Sequence, residues 1–167
     1  MSAVQATEPK DIPQEVGVST DDNQYLTFTL GEELYGVDIL KVQEIKGYTA
    51  VTRIPNTPQY IKGVLNLRGT IVPIVDLRCR FKMDETKYTM FTVIVVVVVR
   101  EKVVGLIVDS VSDVLNIDKD HIQDPPEFGH TIDVSFLNGI GKSGDKLVAI
   151  LNIEQLFEDT AISGPAE

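Results

Sequence analysis

The sequence predicts an all-β fold with short helices, arranged as two small β-barrels related by an internal duplication. Apolar residues occur in short alternating or continuous runs that are bounded by turn residues, a pattern typical of strands. The stretch from Gly63 to Phe81 has a counterpart from Gly139 to Phe157. With 167 residues and an apolar fraction of 43%, the chain is long enough to bury a core. Each half supplies about five short strands, enough for a closed barrel that leaves few strand edges exposed.

The chain begins with a segment that predicts no regular structure. Residues 1–23 lack periodicity and are rich in acidic residues, proline, glutamine and serine, so they are interpreted as a disordered acidic arm. Order is expected from about Gln24. Residues 26–30 alternate between apolar and threonine side chains, and Gly31 leads into a second strand at residues 34–37. These features predict a β-hairpin.

An irregular segment follows this hairpin. Apolar residues recur at three-residue spacing, at Ile39, Val42 and Ile45, which is compatible with either a helical turn or a bent edge strand. Pro55 and Pro58 then indicate an irregular connection.

The most informative strand of the first half occupies residues 71–75. Arg68 and Gly69 form the predicted turn before it. Pro73 lacks a backbone donor, so the strand is expected to lie at a sheet edge or a bulge. Asp76 ends the strand and is a suitable N-cap for a short helical turn.

The second half contains the same kinds of element. Val93–Val99 is a continuous apolar run, which predicts a strand buried on both faces, and Val103–Val108 completes a second hairpin. Pro125, Pro126 and Gly129 mark a loop. Two further strands are expected at residues 137–142 and 146–151, followed by a short amphipathic helix at residues 153–157.

Comparison of the two halves reveals the duplication. A shift of 69 positions places Gly36 on Gly105, Val42 on Val111, Glu44 on Asp113 and Ile45 on Val114. A shift of 76 positions places Gly63 on Gly139, Asp76 on Asn152 and Phe81 on Phe157. The alternative is a chance similarity between amphipathic hairpins. The predicted organisation is an arm at 1–23, a domain at 24–157 with halves at roughly 24–90 and 91–157, and a flexible tail at 158–167.

Charge and cysteine content exclude several functions. The formal charge of −10 argues against nucleic-acid binding, which requires a basic surface. Cys79 is the sole cysteine, which rules out an intramolecular disulfide and favours the cytoplasm. No secretory signal is apparent, and the longest apolar run is far shorter than the roughly 20 residues of a membrane helix, so membrane insertion is not expected.

Catalytic, metal and cofactor signatures are also absent from the sequence. The motif GIGKSG at residues 139–144 precedes a strand, not a helix, and is therefore interpreted as a hairpin turn rather than a phosphate-binding loop. His121 and His130 have no cysteine or paired carboxylate at metal-ligand spacing. No histidine or nucleophile motif surrounds Cys79. A non-enzymatic protein with no cofactor and no metal is predicted.

Four longer motifs occur in order along the chain: VQEI at 42–45, TRIPNTPQYIKGVLNLRG at 52–69, IVPIVDLR at 71–78 and VVGLIVDSVSDVL at 103–115. Together they resemble the CheW family, the coupling proteins of bacterial chemotaxis. The resemblance extends from about Tyr25 to Phe157. It implies two intertwined five-stranded SH3-like barrels and an adaptor that joins chemoreceptors to the histidine kinase CheA. It also implies recruitment to receptor arrays at the inner face of the membrane.

The resemblance further implies partners and contact residues. The partners would be the cytoplasmic helical hairpin tip of chemoreceptors, the regulatory domain of CheA and other CheW-like domains in array rings. The implied receptor-binding residues are Ile39, Val42, Glu44, Gly63, Arg68, Val111 and Val114. Gly144 occupies the position equivalent to Arg68, so we hypothesise an ion pair between Glu44 and Arg68 in the first barrel only. The alternatives are a CheW-like regulatory domain excised from a chemotaxis kinase and, more remotely, a small-molecule or nucleotide enzyme.

Overall fold

Short antiparallel hairpins make up most of the computed structural model, which describes residues 23–84, 87–124 and 134–157. The first half forms β1 (Gln24–Leu30), β2 (Glu33–Asp38), a 3₁₀ turn (Ile39–Lys41), β3 (Val42–Gly47), β4 (Ile61–Leu67), β5 (Thr70–Asp76) and α1 (Leu77–Arg80). The second half forms β6 (Val93–Val99), β7 (Lys102–Val108), β8 (Ser110–Asn116), a 3₁₀ turn (Lys119–His121), β9 (Ile122–Gln123), a 3₁₀ turn (Val134–Phe136), β10 (Leu137–Ser143), β11 (Lys146–Leu151) and α2 (Ile153–Leu156). The predicted arm except Asn23, the predicted tail and the loop containing Pro125, Pro126 and Gly129 lie outside the described residues.

The element order repeats as the sequence comparison predicts. A shift of 69 positions superimposes β1, β2 and β3 on β6, β7 and β8, and a shift of 76 positions superimposes β4, β5 and α1 on β10, β11 and α2. Asp76 is the N-cap of helix α1, and its Oδ1 accepts hydrogen bonds from the backbone N–H of Arg78 at 2.9 Å and of Cys79 at 3.4 Å. Asn152 caps α2 in the same way, through a bond from the Gln155 N–H at 3.1 Å. The predicted all-β fold with short helices is confirmed.

The two halves exchange their first hairpins. One sheet has the order β3-β6-β7-β5-β4, and the other has the order β8-β1-β2-β11-β10-β9. The hairpin β6–β7 of the second half therefore lies in the sheet of the first half, and β1–β2 lies in the sheet of the second. The exchanged strands join their hosts through parallel pairing of β7 with β5 and of β2 with β11. This exchange makes the two units intertwined.

In each barrel, the segment that follows one end strand of the sheet pairs with the strand at the other end and so closes the barrel. After β3, Thr52 pairs with Val64 of β4 through backbone hydrogen bonds of 3.0 and 2.8 Å, which joins the two end strands of the first barrel. In the second barrel β9 pairs with β10 at the equivalent place. The second sheet has six strands instead of the expected five because Ile122 and Gln123 form the two-residue strand β9, where the first barrel has only the single bridge at Thr52.

Three clusters of buried side chains hold the barrels together. The interior of the first barrel contains Val72, Ile74, Ile94, Val96 and Ile107, and that of the second contains Tyr25, Ile117, Val148 and Ile150. The third and largest, the central core, includes the other faces of the exchanged hairpins. It comprises Leu26, Phe28, Leu30, Tyr35, Val37, Val75, Leu77, Phe81, Val95, Val97, Val99, Val104, Leu106, Val108, Leu137, Leu151, Ile153, Leu156 and Phe157.

Two local predictions need comment. Two positions were expected for Pro73, an edge strand or a bulge. Strand β5 lies between β7 and β4, so the edge strand is wrong, whereas the pairing of β4 with β5 does shift register beside Pro73, between Ile61 and Gly63. The missing donor of Pro73 is tolerated because pairing of β5 with β7 begins only at Ile74, after the proline. The motif GIGKSG ends β10 and forms the hairpin to β11, with Gly144 at φ 63°, which confirms a turn.

Candidate functional site

Strands β3 and β8 occupy equivalent end positions in the two sheets, and each carries an irregularity at the same place. The pairing of β3 with β6 shifts between Val42 and Glu44, and the pairing of β8 with β1 shifts between Phe28 and Leu26. A β-bulge of this kind bends a strand and redirects its side chains. The buried Thr27 hydroxyl stabilises the second irregularity: it donates to the Asp113 carbonyl at 2.8 Å and accepts from the Asp113 N–H at 3.0 Å.

Three of the sequence-predicted residues are half-buried and pack against the central core. They are Ile39, Val42 and Val111. Val42 pairs with Val97 on β6, and Val111 pairs with Phe28 on β1. These side chains therefore contribute to the seam between the barrels and leave only part of their surface available to a partner.

Ile45 and Val114 are more exposed. They are equivalent in the duplication, and their exposed fractions are 44% and 49%. Val114 belongs to the predicted binding set, whereas Ile45 was not included. The equivalence to Val114 was the signal in the sequence that would have found Ile45. The outer faces of β3 and β8 thus present matching apolar side chains.

Glu44 and Arg68 form an ion pair, as hypothesised. Arg68 lies in the two-residue turn between β4 and β5 with φ 52°, followed by Gly69 with φ 91°. The turn is held by a hydrogen bond of 2.8 Å from the Gly69 N–H to Asn66 Oδ1. From this turn the Arg68 guanidinium donates to Glu44 Oε1 on β3. The hydrogen bond and the charge of Glu44 raise the pKa of Arg68 above its usual range.

The ion pair breaks the symmetry of the two barrels. Arg68 is 70% exposed and Glu44 is 25% exposed, so the pair faces solvent. In the second barrel Gly144 replaces the arginine, and within the described residues Asp113 forms no ion pair. Among the described residues, the ion pair at this edge is therefore present in the first barrel and has no counterpart in the second.

Gly63 is placed differently from the other predicted residues. It is buried beneath the segment of Val51 and Thr52. A Cβ at this position would lie 2.2 Å from the Thr52 carbonyl oxygen, which is far closer than van der Waals contact. Gly63 thus shapes the path of the chain beside the site without offering a side chain to a partner.

A second ion pair was not found by sequence reasoning. Arg78 Nε and Nη2 donate to the two carboxylate oxygens of Asp109 at 2.8 and 2.7 Å. Asp109 Oδ2 also accepts from the Gly31 N–H at 2.8 Å. Burial by itself would raise the pKa of Asp109, but these hydrogen bonds outweigh it and hold that pKa below its ordinary value of 3.8. The pair anchors the β1–β2 turn to α1.

The remaining chemistry is sparse. Within residues 23–84, 87–124 and 134–157 there is no group of three or more histidine, cysteine, aspartate or glutamate residues that could hold a metal ion. His121 is exposed, and His130 lies outside the described residues. Cys79 is the sole cysteine of the sequence, and its side chain is half-buried. Among the described residues, no helix is long and apolar enough to cross a membrane.

Comparison with known proteins decides the family. The model of the CheW-like domain matches residues 24–161. The chain belongs to the CheW-like family. Its relatives include the chemotaxis protein CheW of Klebsiella aerogenes, with 50% identity over 138 residues that cover 83% of each chain. The probable chemotaxis protein CheW of Rhizobium etli is 39% identical over 139 residues, 83% of this chain and 90% of the relative.

A solved structure supports the same assignment. The crystal structure of the scaffolding protein TtCheW from Thermoanaerobacter tengcongensis superimposes with a TM-score of 0.76 and 40% identity, and it covers 82% of this chain and 93% of that one. CheW-like proteins are scaffolds and not enzymes, so the prediction of a non-enzymatic chemotaxis protein is confirmed by family membership.

Proposed function

We propose that this chain is an adaptor that couples transmembrane chemoreceptors to the histidine kinase CheA in signalling arrays at the inner face of the membrane. Its relatives are chemotaxis and scaffolding proteins. An adaptor needs separate surfaces for its two partners, and two intertwined barrels with unequal edges offer them. The ion pair between Glu44 and Arg68 carries the proposal, because it distinguishes the edge of the first barrel from that of the second.

The receptor contact lies along β3, the β4–β5 turn and β8. Ile45 and Val114 supply exposed apolar surface, and the ion pair supplies polar orientation. A helix places apolar anchors at i, i+3 and i+4 and polar residues beside them, so the helical hairpin of a receptor suits this surface. Val42, Val111 and Ile39 support the contact from the seam. Other faces remain for the regulatory domain of CheA and for further CheW-like domains.

Coupling requires more than attachment. A scaffold passes a signal between its partners only if it binds the signalling states of a receptor with different affinities. The half-buried valines at the seam connect the binding edges to the central core, so a helix that shifts on them would also bias the packing of the barrels.

The test is co-sedimentation of the full-length protein with receptor-containing membranes and, separately, its binding to CheA. We expect Arg68→Ala and Glu44→Ala to weaken receptor binding by about three- to tenfold and to leave CheA binding unchanged, because exposed interfacial charges set encounter and orientation. The unfolding midpoint in urea should not move, since exposed ion pairs contribute little to folding.

A matched control removes another partly exposed pair. Lys41 Nζ lies 3.4 Å from Glu154 Oε2, and its removal by Lys41→Ala with Glu154→Ala should leave receptor binding intact. If the unmutated protein does not sediment with receptors, the adaptor function is refuted. If it sediments but both pairs behave alike, only the role of Glu44 and Arg68 is refuted.

A further inference from the structure

A cleft of about 580 Å³ lies beside the closure of the first barrel. Residues 53–59 form one wall as the chain leaves the sheet, and Ile61 and Lys62 at the start of β4 form the other. The lining combines two cations, Arg53 and Lys62, with the apolar side chains of Ile54 and the neighbouring prolines. Ile54 is 40% exposed although it is a large apolar residue.

The bridge that closes the barrel holds the two walls of the cleft together. Thr52 pairs with Val64 through two backbone hydrogen bonds, of 3.0 and 2.8 Å. The pairing does not continue past Thr52, and Arg53 on one segment and Lys62 on the other both line the cleft between them.

The charge of this cleft is opposite to that of the chain. No aspartate or glutamate lines it. Within the described part of the chain, neither Arg53 nor Lys62 forms an ion pair. The whole chain nevertheless carries a formal charge of −10. Two uncompensated cations beside exposed apolar surface are complementary to a carboxylate on an amphipathic helix.

We propose that this cleft binds a carboxylate-bearing face of the receptor's cytoplasmic helical hairpin, with Arg53 and Lys62 pairing the carboxylate and Ile54 contacting the apolar stripe. This inference rests on the proposed adaptor function and deepens it. It assigns Gly63 the task of placing the Thr52–Arg53 segment: because a side chain at Gly63 would displace Thr52, it would move Arg53 and deform the cleft.

Receptor co-sedimentation with the double variant Arg53→Ala/Lys62→Ala tests the proposal. Its control, Arg100→Ala/Lys102→Ala, removes two exposed cations from the β6–β7 turn and changes the net charge equally. We expect the first variant to bind receptor membranes about three- to thirtyfold more weakly and the control to bind as the unmutated protein does. Raising the salt from about 50 to about 500 mM should weaken the unmutated protein more than the first variant.

Two further measurements separate the possible results. Arg53→Lys keeps the charge and should retain most of the binding, and CheA binding should be unchanged in every variant. Equal loss in both double variants, or loss of CheA binding in place of receptor binding, overturns the assignment of the cleft while the adaptor function stands. Failure of the unmutated protein to sediment overturns the adaptor function and this inference with it.

Discussion

Replacement of Gly63 by alanine opens the first barrel at its closure. The added Cβ would lie 2.2 Å from the Thr52 carbonyl oxygen, 2.7 Å from the Thr52 carbonyl carbon and 3.0 Å from Val51 Cγ2. The first two are backbone atoms, which cannot rotate away as a flexible side chain would. The chain at Thr52 must therefore move away from β4.

The cost follows from what this movement breaks. Thr52 and Val64 exchange two backbone hydrogen bonds, of 3.0 and 2.8 Å, and each contributes about 0.5–1.5 kcal/mol to stability. Gly63 also has φ 153°, in a region that costs a residue with a side chain about 1–3 kcal/mol. Together these terms predict a loss of about 2–6 kcal/mol in the free energy of unfolding. With a urea slope of about 2 kcal/mol per molar, the midpoint should fall by about 1–3 M.

Urea unfolding followed by far-ultraviolet circular dichroism measures this shift. Gly47→Ala is the matched control, because a Cβ at Gly47 on β3 would meet nothing within 4 Å. Its midpoint should stay within about 0.3 M of the unmutated protein, since substitutions away from tight contacts change stability by at most about 0.5 kcal/mol. A Gly63→Ala midpoint no lower than that of Gly47→Ala would refute the reasoning.

Two other substitutions test the packing. Asp109→Asn should lower the free energy of unfolding at pH 7 by about 1.5–3 kcal/mol. The folded state holds the pKa of Asp109 below 3.8. The difference in unfolding free energy between the variant and the unmutated protein should therefore be constant from about pH 7 to 5 and shrink as the pH falls below about 4. Urea midpoints across this range check it, and an undiminished difference at pH 3 would contradict the Arg78 pairing. Gly105→Ala places a Cβ 2.6 Å from a buried isoleucine atom and should cost about 1–3 kcal/mol. Its counterpart Gly36→Ala, with a closest approach of 3.0 Å, should lower the melting temperature less, and a reversed order would contradict the assigned packing.

Much of the fold was predictable because its signals are local. A strand buried on one face requires apolar residues at every second position. A strand buried on both faces, such as Val93–Val99, requires a continuous apolar run. The duplication was visible because the two halves keep these patterns in register. The pairing of Glu44 with Arg68 followed from it, since the loss of the arginine at Gly144 singled out the first barrel.

Other features of the site were not predictable because they depend on contacts between distant segments. Arg78 and Asp109 are far apart in sequence and have no periodic relation, so nothing local marks them as a pair. The burial of Gly63 beneath the bridge from Thr52 to Val64 likewise depends on two segments that are separated in the sequence. The cleft lined by Arg53 and Lys62 also lies between two segments that this bridge brings together.

By itself, the sequence determined the strands, their hairpins and the duplicated order of the two halves, because hydrophobic alternation and turn chemistry act between near neighbours. Only the tertiary structure decided which hairpin completes which barrel. Both exchanged hairpins are buried on both faces, so either could satisfy its hydrogen bonds in either sheet. The choice is made by parallel pairing of β2 with β11 and of β5 with β7 and by the central core between the sheets. The edge strands β3 and β8 take their positions from that exchange, because β3 pairs with β6 and β8 pairs with β1.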